Sequence, residues 1–169
     1  MKEVGDKGCA QPGTGGAIDV DAGLALARSR CMHSGANLTP LRAAVLKILL
    51  QQECFFTAYE LVERMREASR VTSAMTVYRV LDFLIGEGLV YRLDTVNGYV
   101  ATRAPDKGRC VVAICTGCSR AVEMESRPFD QLLDAELACA GLVRDTRVLE
   151  LRVRCDCCRG EVLDELSPT

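Results

Sequence analysis

The sequence predicts an α+β chain: a helical unit closing on a β-hairpin, then a small α/β unit braced by metal. Three observations carry that expectation. Between Leu24 and Gly86, apolar residues recur at helical spacing behind a series of cap signals. At Leu89 the period drops to two, and Asn97-Gly98 supplies a turn. Two C-x-x-C pairs, Cys115/Cys118 and Cys155/Cys158, then bracket the last third of the chain.

Composition narrows the setting. Ten cysteines in 169 residues would suit a secreted disulfide scaffold, but the opening stretch MKEVGDKGCAQPGTGGAIDV has no apolar core of signal-peptide length, and nothing here is long enough to span a membrane. The chain reads as cytoplasmic, where thiols stay reduced. With 49% apolar residues it can pack one or two small domains. A net charge of −2 and a pI near 5.5 give no bulk attraction to nucleic acid, so any DNA binding must rest on a locally basic face.

Residues 1–23 carry six glycines and no apolar period, and are expected to form a disordered arm. Order is expected from Leu24, with Ala27, Arg28, Cys31 and Met32 at helical spacing up to a stop at Gly35. Thr39-Pro40 then pairs a cap residue with proline at the first helical position, and Leu41, Val45, Ile48, Leu49 and Gln52 share one face. Thr57 and Glu60 form a capping box that opens a third helix, with Leu61, Val62 and Met65 inward. Ser73 caps a fourth, in which Val77, Val80, Leu81 and Leu84 face in while Tyr78, Arg79 and Asp82 face out. The alternating stretches around Leu89–Leu93 and Tyr99–Thr102 complete a hairpin, and helices closing on a hairpin make a winged helix over 24–103.

Ala104-Pro105-Asp106-Lys107-Gly108 has linker composition, and a hinge is expected over 104–109. The second unit, 110–160, reads as strand, strand, helix, strand, followed by a tail over 161–169. Its helix begins at Pro128, carries Phe129, Leu132, Leu133, Leu137 and Ala140 on one side, and closes at Gly141. A sheet this thin cannot cover both its faces, so packing against a twin and bracing by metal are both expected.

The two cysteine pairs follow the first and last of these strands. Four thiolates on two turns satisfy a tetrahedral structural zinc site, and backbone N–H groups of the turns can donate hydrogen bonds to the sulfurs. Arg120, Arg154 and Arg159 lie next to the ligand turns in sequence, where they can offset the net charge of four thiolates on one dication. The competing reading is a redox pair, but such a motif opens a helix, and these pairs follow strands. Cys157 reads as a bystander thiol or one exposed to oxidation.

LTPLRAAVLKILL, TAYELVERM, AMTVYRVLDFLIGEGLVYRL and the two C-x-x-C pairs, with 36 residues between Cys118 and Cys155, together resemble the ferric uptake regulator family. The stretch TVYRVLDFLIGEGLVYRLDTVNGYV is similar to the zinc uptake regulators within it, and the match covers about residues 24–160. The resemblance implies a homodimeric repressor: the winged helix binds double-stranded operator DNA, the second unit dimerises, and hinge metal sets the DNA-binding shape. The residues point to DNA on their own account. Thr76, Tyr78 and Arg79 project from the fourth helix, and Arg79 has the fork that pairs with guanine O6 and N7. Tyr59 and Arg42, at the starts of their helices, suit contacts to phosphate or to a neighbouring groove. The bland alternative is a solvated polar face.

The resemblance further implies a sensing site built from a wing histidine, a cysteine at the end of the wing, a hinge histidine and a carboxylate. The matching positions hold Tyr91, Thr102, the region of Gly108 and Glu123, so only the carboxylate is retained. A position before Thr57 that often holds histidine in the family is Phe55 or Phe56, and the one histidine, His33, lies on the first helix. One structural zinc per protomer is therefore expected, with the sensory site altered or lost. Three readings stand for Cys54 and Cys110: with Glu123, a rebuilt metal site; a thiol pair making a redox-sensing regulator on the same scaffold; or buried small apolar residues. A zinc-ribbon thiol-exchange protein would need a reactive low-pKa cysteine beside a substrate groove, and no enzymatic motif is visible.

Overall fold

The computed structural model describes residues 19–68, 73–105 and 108–159. The expected arm up to residue 18, the centre of the hinge and the tail over 161–169 lie outside them.

Helix α1 (Val20–His33) starts earlier than the apolar period suggests, because the Asp19 carboxylate accepts from the N–H groups of Asp21 and Ala22. Helix α2 (Pro40–Leu50) has Thr39 as its cap and proline in its first turn. Before α3 (Ala58–Glu67), both halves of the Thr57/Glu60 capping box are made. Helix α4 (Ala74–Gly86) starts from Ser73, whose hydroxyl accepts from the Thr76 N–H. Leu24, Ala27 and Cys31 of α1 meet Val45, Leu46 and Leu49 of α2, Leu61 and Met65 of α3, and Val77, Leu81 and Leu84 of α4 in one dry core.

Strands β1 (Val90–Leu93) and β2 (Gly98–Ala101) form the expected hairpin, joined by one 3-10 turn at Asp94–Val96 and by Asn97 in the left-handed region. Its alternation does not mean one wet face. Val90, Tyr99 and Ala101 belong to the helical core, whereas Tyr91, Leu93 and Val100 face the other way into a second core with Cys110, Val112, Ile114 and Ala121. Every residue of β2 is buried. Gly98 is needed here, since a Cβ on it would lie 2.6 Å from the Phe55 ring.

The second unit is a three-stranded sheet in the order β4-β3-β5, with β3 spanning Cys110–Cys115, β4 Ala121–Met124 and β5 Val148–Val153. β4 runs antiparallel to β3 and β5 parallel to it, after a crossover through α5 (Arg127–Cys139). The sheet was expected to need a twin and a metal brace; within the same chain, the hairpin already covers one of its faces. Helix α5 contributes no buried residue to the protomer, and Phe129 and Leu132 stand 38% and 60% exposed. A one-turn helix, α6 (Asp156–Arg159), closes the described chain.

Candidate metal centre and nucleic-acid interface

The parallel pairing of β3 with β5 brings the two C-x-x-C turns side by side at one end of the sheet, with Cys115 opposite Val153. The thiol sulfurs of Cys115, Cys118, Cys155 and Cys158 all lie within 4.8 Å of one another, and those of Cys118 and Cys155 are 3.6 Å apart. Tetrahedral zinc with Zn–S bonds of about 2.3 Å needs sulfurs roughly 3.8 Å apart, so the cluster already has the right dimensions. The Cys155 N–H points at the Cys115 sulfur at 3.4 Å. Gly117 leaves room for the cluster: a Cβ there would sit 2.8 Å from the Cys158 sulfur.

Electrostatics describe the same need. Burial raises the Cys115 thiol, yet the N–H groups of Cys155, Cys118 and Gly117 outweigh it and bring Cys115 below its ordinary range. Cys158 is pushed up to about 12, chiefly by hydrogen bonding with Cys155 and then by burial. Four crowded sulfurs cannot all ionise unless a cation joins them, and a zinc dication supplies that charge. One expectation needs correction. The second pair opens helical turn α6, with the Cys158 N–H bonded to the Cys155 carbonyl, so only the first pair sits in a plain strand-to-strand turn. Arg120 does not serve mainly as a counter-charge either: it pairs with Glu53 at 3.2 Å.

Where the resemblance places a sensing site, the structure brings Tyr91, Thr102 and Glu123 together. The Glu123 carboxylate accepts from the Tyr91 hydroxyl at 3.3 Å, the Thr102 hydroxyl at 2.9 Å and the Arg103 N–H at 2.8 Å. Burial pushes the Tyr91 phenol well above its usual range, and burial likewise raises the adjacent Cys110 thiol. The Tyr91 and Thr102 hydroxyls and the Arg103 N–H are thus donors converging on one carboxylate. Gly108 is exposed, and its carbonyl accepts from Arg147.

Cys54 and Cys110 are 2% and 1% exposed. Cys54 sits on the loop between α2 and α3 with its thiol toward Gln52, in a bridge with Arg120, while Cys110 lies on β3. Among the described residues, Cys54, Cys110 and Glu123 do not come together as a metal-ligand group.

Tyr78 and Arg79 stand on the exposed side of α4, opposite its buried Val77, Val80 and Leu81. Tyr59 is 68% exposed at the start of α3. Thr76 is half-buried, with its hydroxyl 2.9 Å from that of Ser73. Arg42 is engaged within the fold, over the Phe83 ring at 3.4 Å and bonded to the Asn37 carbonyl at 2.6 Å.

Two carboxylates that the sequence reading passed over prove important. Glu150 alternates with Leu149 and Leu151 and reads as solvent-facing, but Val112 pairs with Glu123 on one side and Glu150 on the other, so all three share the face turned to the hairpin. Glu150 accepts from the N–H groups of Asp94 and Thr95 at the hairpin turn. Glu53 receives both Arg120 and Arg103. A carboxylate set directly before the apolar run Cys54-Phe55-Phe56 was the available signal.

A winged helix packed on a small sheet that ends in a four-cysteine cluster defines the class: a metal-responsive transcription regulator. The profile of the ferric uptake regulator family matches residues 33–151, and the chain belongs to that family. The zinc uptake regulation protein of Escherichia coli strain K12 is 31% identical over 137 residues, 80% of each chain. A zinc uptake regulator complexed with zinc and DNA superposes with a TM-score of 0.75 at 28% identity, over 86% of this chain and 98% of that one. Holo XcZur gives 0.70 at 33% identity, over 83% and 99%, whereas its apo form gives 0.50. Among the described residues no helix is long and apolar enough to cross a membrane.

Proposed function

We propose that the chain is a homodimeric, DNA-binding transcriptional repressor of the zinc uptake regulator type, holding one structural zinc per protomer at Cys115, Cys118, Cys155 and Cys158. The observation that carries the DNA assignment is the outward side of α4, where Tyr78 and Arg79 face solvent from a helix whose opposite side is fully packed. A forked guanidinium on such a helix suits guanine in the major groove. The similarity to a zinc uptake regulator complexed with zinc and DNA supports the reading. Tyr59 at the start of α3 is placed to steady a phosphate.

The bare apolar side of α5, with Phe129 and Leu132, supports dimerisation through the second unit. The donors around Glu123 support the reading that the sensory site is altered. They join the end of the wing to the sheet by hydrogen bonds that use the carboxylate a sensing metal would otherwise claim.

The test is a gel-shift comparison using a duplex that the zinc-loaded protein selects from a random pool. Arg79→Ala is expected to weaken the selected duplex by about 1 to 3 kcal/mol and random DNA much less. Equal losses on both would make Arg79 a phosphate contact, and no selection at all would remove the DNA-binding reading.

A further inference from the structure

The four-residue segment Glu53–Phe56 is bonded along both edges. On one edge the Phe55 N–H donates to the Ser119 carbonyl and the Ala121 N–H donates to the Glu53 carbonyl, each at 3.1 Å. Cys54 forms a bridge with Arg120 between them. On the other edge Phe56 exchanges both backbone bonds with Tyr99 of the hairpin, at 3.0 and 2.8 Å. The Glu53 side chain reinforces the strap by holding Arg120 from the cysteine turn and Arg103 from the end of the wing. The very next residue, Thr57, is the cap of α3.

The turn that this strap grips is the first zinc knuckle, Cys115–Cys118 with Ser119 and Arg120. Within it the Cys115 N–H donates to the Arg120 carbonyl at 2.8 Å and the Ser119 N–H to the Cys115 carbonyl at 3.2 Å. Ser119 sits at φ +63°, a left-handed conformation uncommon for a residue other than glycine. Two of the four metal-binding sulfurs flank this turn, and bonding them to one ion fixes its shape.

We infer that the four-cysteine centre is also the regulatory site of this chain, its zinc occupancy being read by the winged helix through the strap Glu53–Phe56. The inference rests on the reading above, that the family's separate sensing site is replaced here by the Glu123 hydrogen bonds. When zinc leaves, Cys118 is released and Ser119 relaxes from the left-handed region. Its carbonyl then turns away from the Phe55 N–H, and Arg120 loses its position beside Glu53. The strap detaches on the knuckle edge while it remains joined to the hairpin, so the start of α3 and the helices behind it lose their fixed relation to the sheet. Zinc thus favours one orientation of the DNA-facing helix, and by reciprocity DNA must favour zinc.

The experiment uses full-length zinc-loaded protein and the selected duplex, with zinc affinity measured by competition against a chelator. The duplex is expected to raise the zinc affinity of the wild type tenfold or more. In the Arg120→Ala, Glu53→Gln double variant the gain is expected to fall below threefold, with zinc content and oligomeric mass unchanged. A wild type whose zinc affinity ignores the duplex overturns the inference, as does a double variant that keeps the full gain. Failure to bind any duplex overturns the DNA-binding reading together with it; binding without coupling overturns the inference alone. Should the double variant not fold, amide exchange decides on the wild type during zinc withdrawal. Phe55 and Ala121 are expected to lose protection before Leu81 of α4, and unchanged protection at Phe55 overturns the proposal.

Discussion

Glu123 shows how much one side chain can hold. Three donors, one from β1 and two from the end of the wing, converge on its carboxylate, so Glu123→Ala leaves the Tyr91 hydroxyl, the Thr102 hydroxyl and the Arg103 N–H without their acceptor. The expected loss is about 1 to 3 kcal/mol of stability in urea unfolding. Gly117→Ala is expected to act differently: its Cβ would press on the Cys158 sulfur, so zinc content, measured by elemental analysis, should fall while α1–α4 keep their helical signal. Alkaline pH tests the neutral groups beside Glu123. Burial raises both Tyr91 and Cys110, so the folded state keeps protons that the unfolded chain gives up. Their contribution is complete below about pH 9 and is lost as pH climbs from the ordinary thiol range toward the raised folded values. Cys110→Ala should flatten that alkaline decline; a decline as steep as the wild type's would show that other groups cause it.

At the scale of elements, the caps set the starts of the helices. Thr57→Ala removes one half of a capping box that also ends the strap, and it should cost about 1 kcal/mol by thermal unfolding. Such features were legible in the sequence because their partners lie within four residues, and the C-x-x-C turns were legible for the same reason. The helical core was legible too, since Val77, Val80, Leu81 and Leu84 declare one face by spacing alone. Glu150 was not: its partners at the hairpin turn lie 55 and 56 residues away. Glu53 reaches Arg120 across 67 residues. Alternation tells which residues share a face of a strand, and it is silent about which neighbour covers that face. Arg42, read from its place at a helix start, has contacts that spacing could not show, lying over Phe83 and against the Asn37 carbonyl.

For the whole molecule, metal and fold are coupled. Chelation of the four-cysteine centre should lower the melting temperature sharply, since structural zinc is linked to folding by about 10 kcal/mol or more. Elemental analysis should find one zinc per protomer, and free zinc beyond that amount should change affinity for the selected duplex by less than about tenfold, or 1.4 kcal/mol. Two zinc ions per protomer with steep dependence on the second would show a sensing site rebuilt elsewhere. The doubly buried hairpin also limits how this chain can be taken apart. Its Tyr91, Leu93 and Val100 are dry only because the sheet lies over them. A fragment ending at Pro105 would carry α4 together with a raw apolar stripe, and in sedimentation it should self-associate more strongly than the intact chain. Recognition specificity therefore cannot be grafted onto another protein as a detachable reading head: whoever moves the winged helix must move its lid as well.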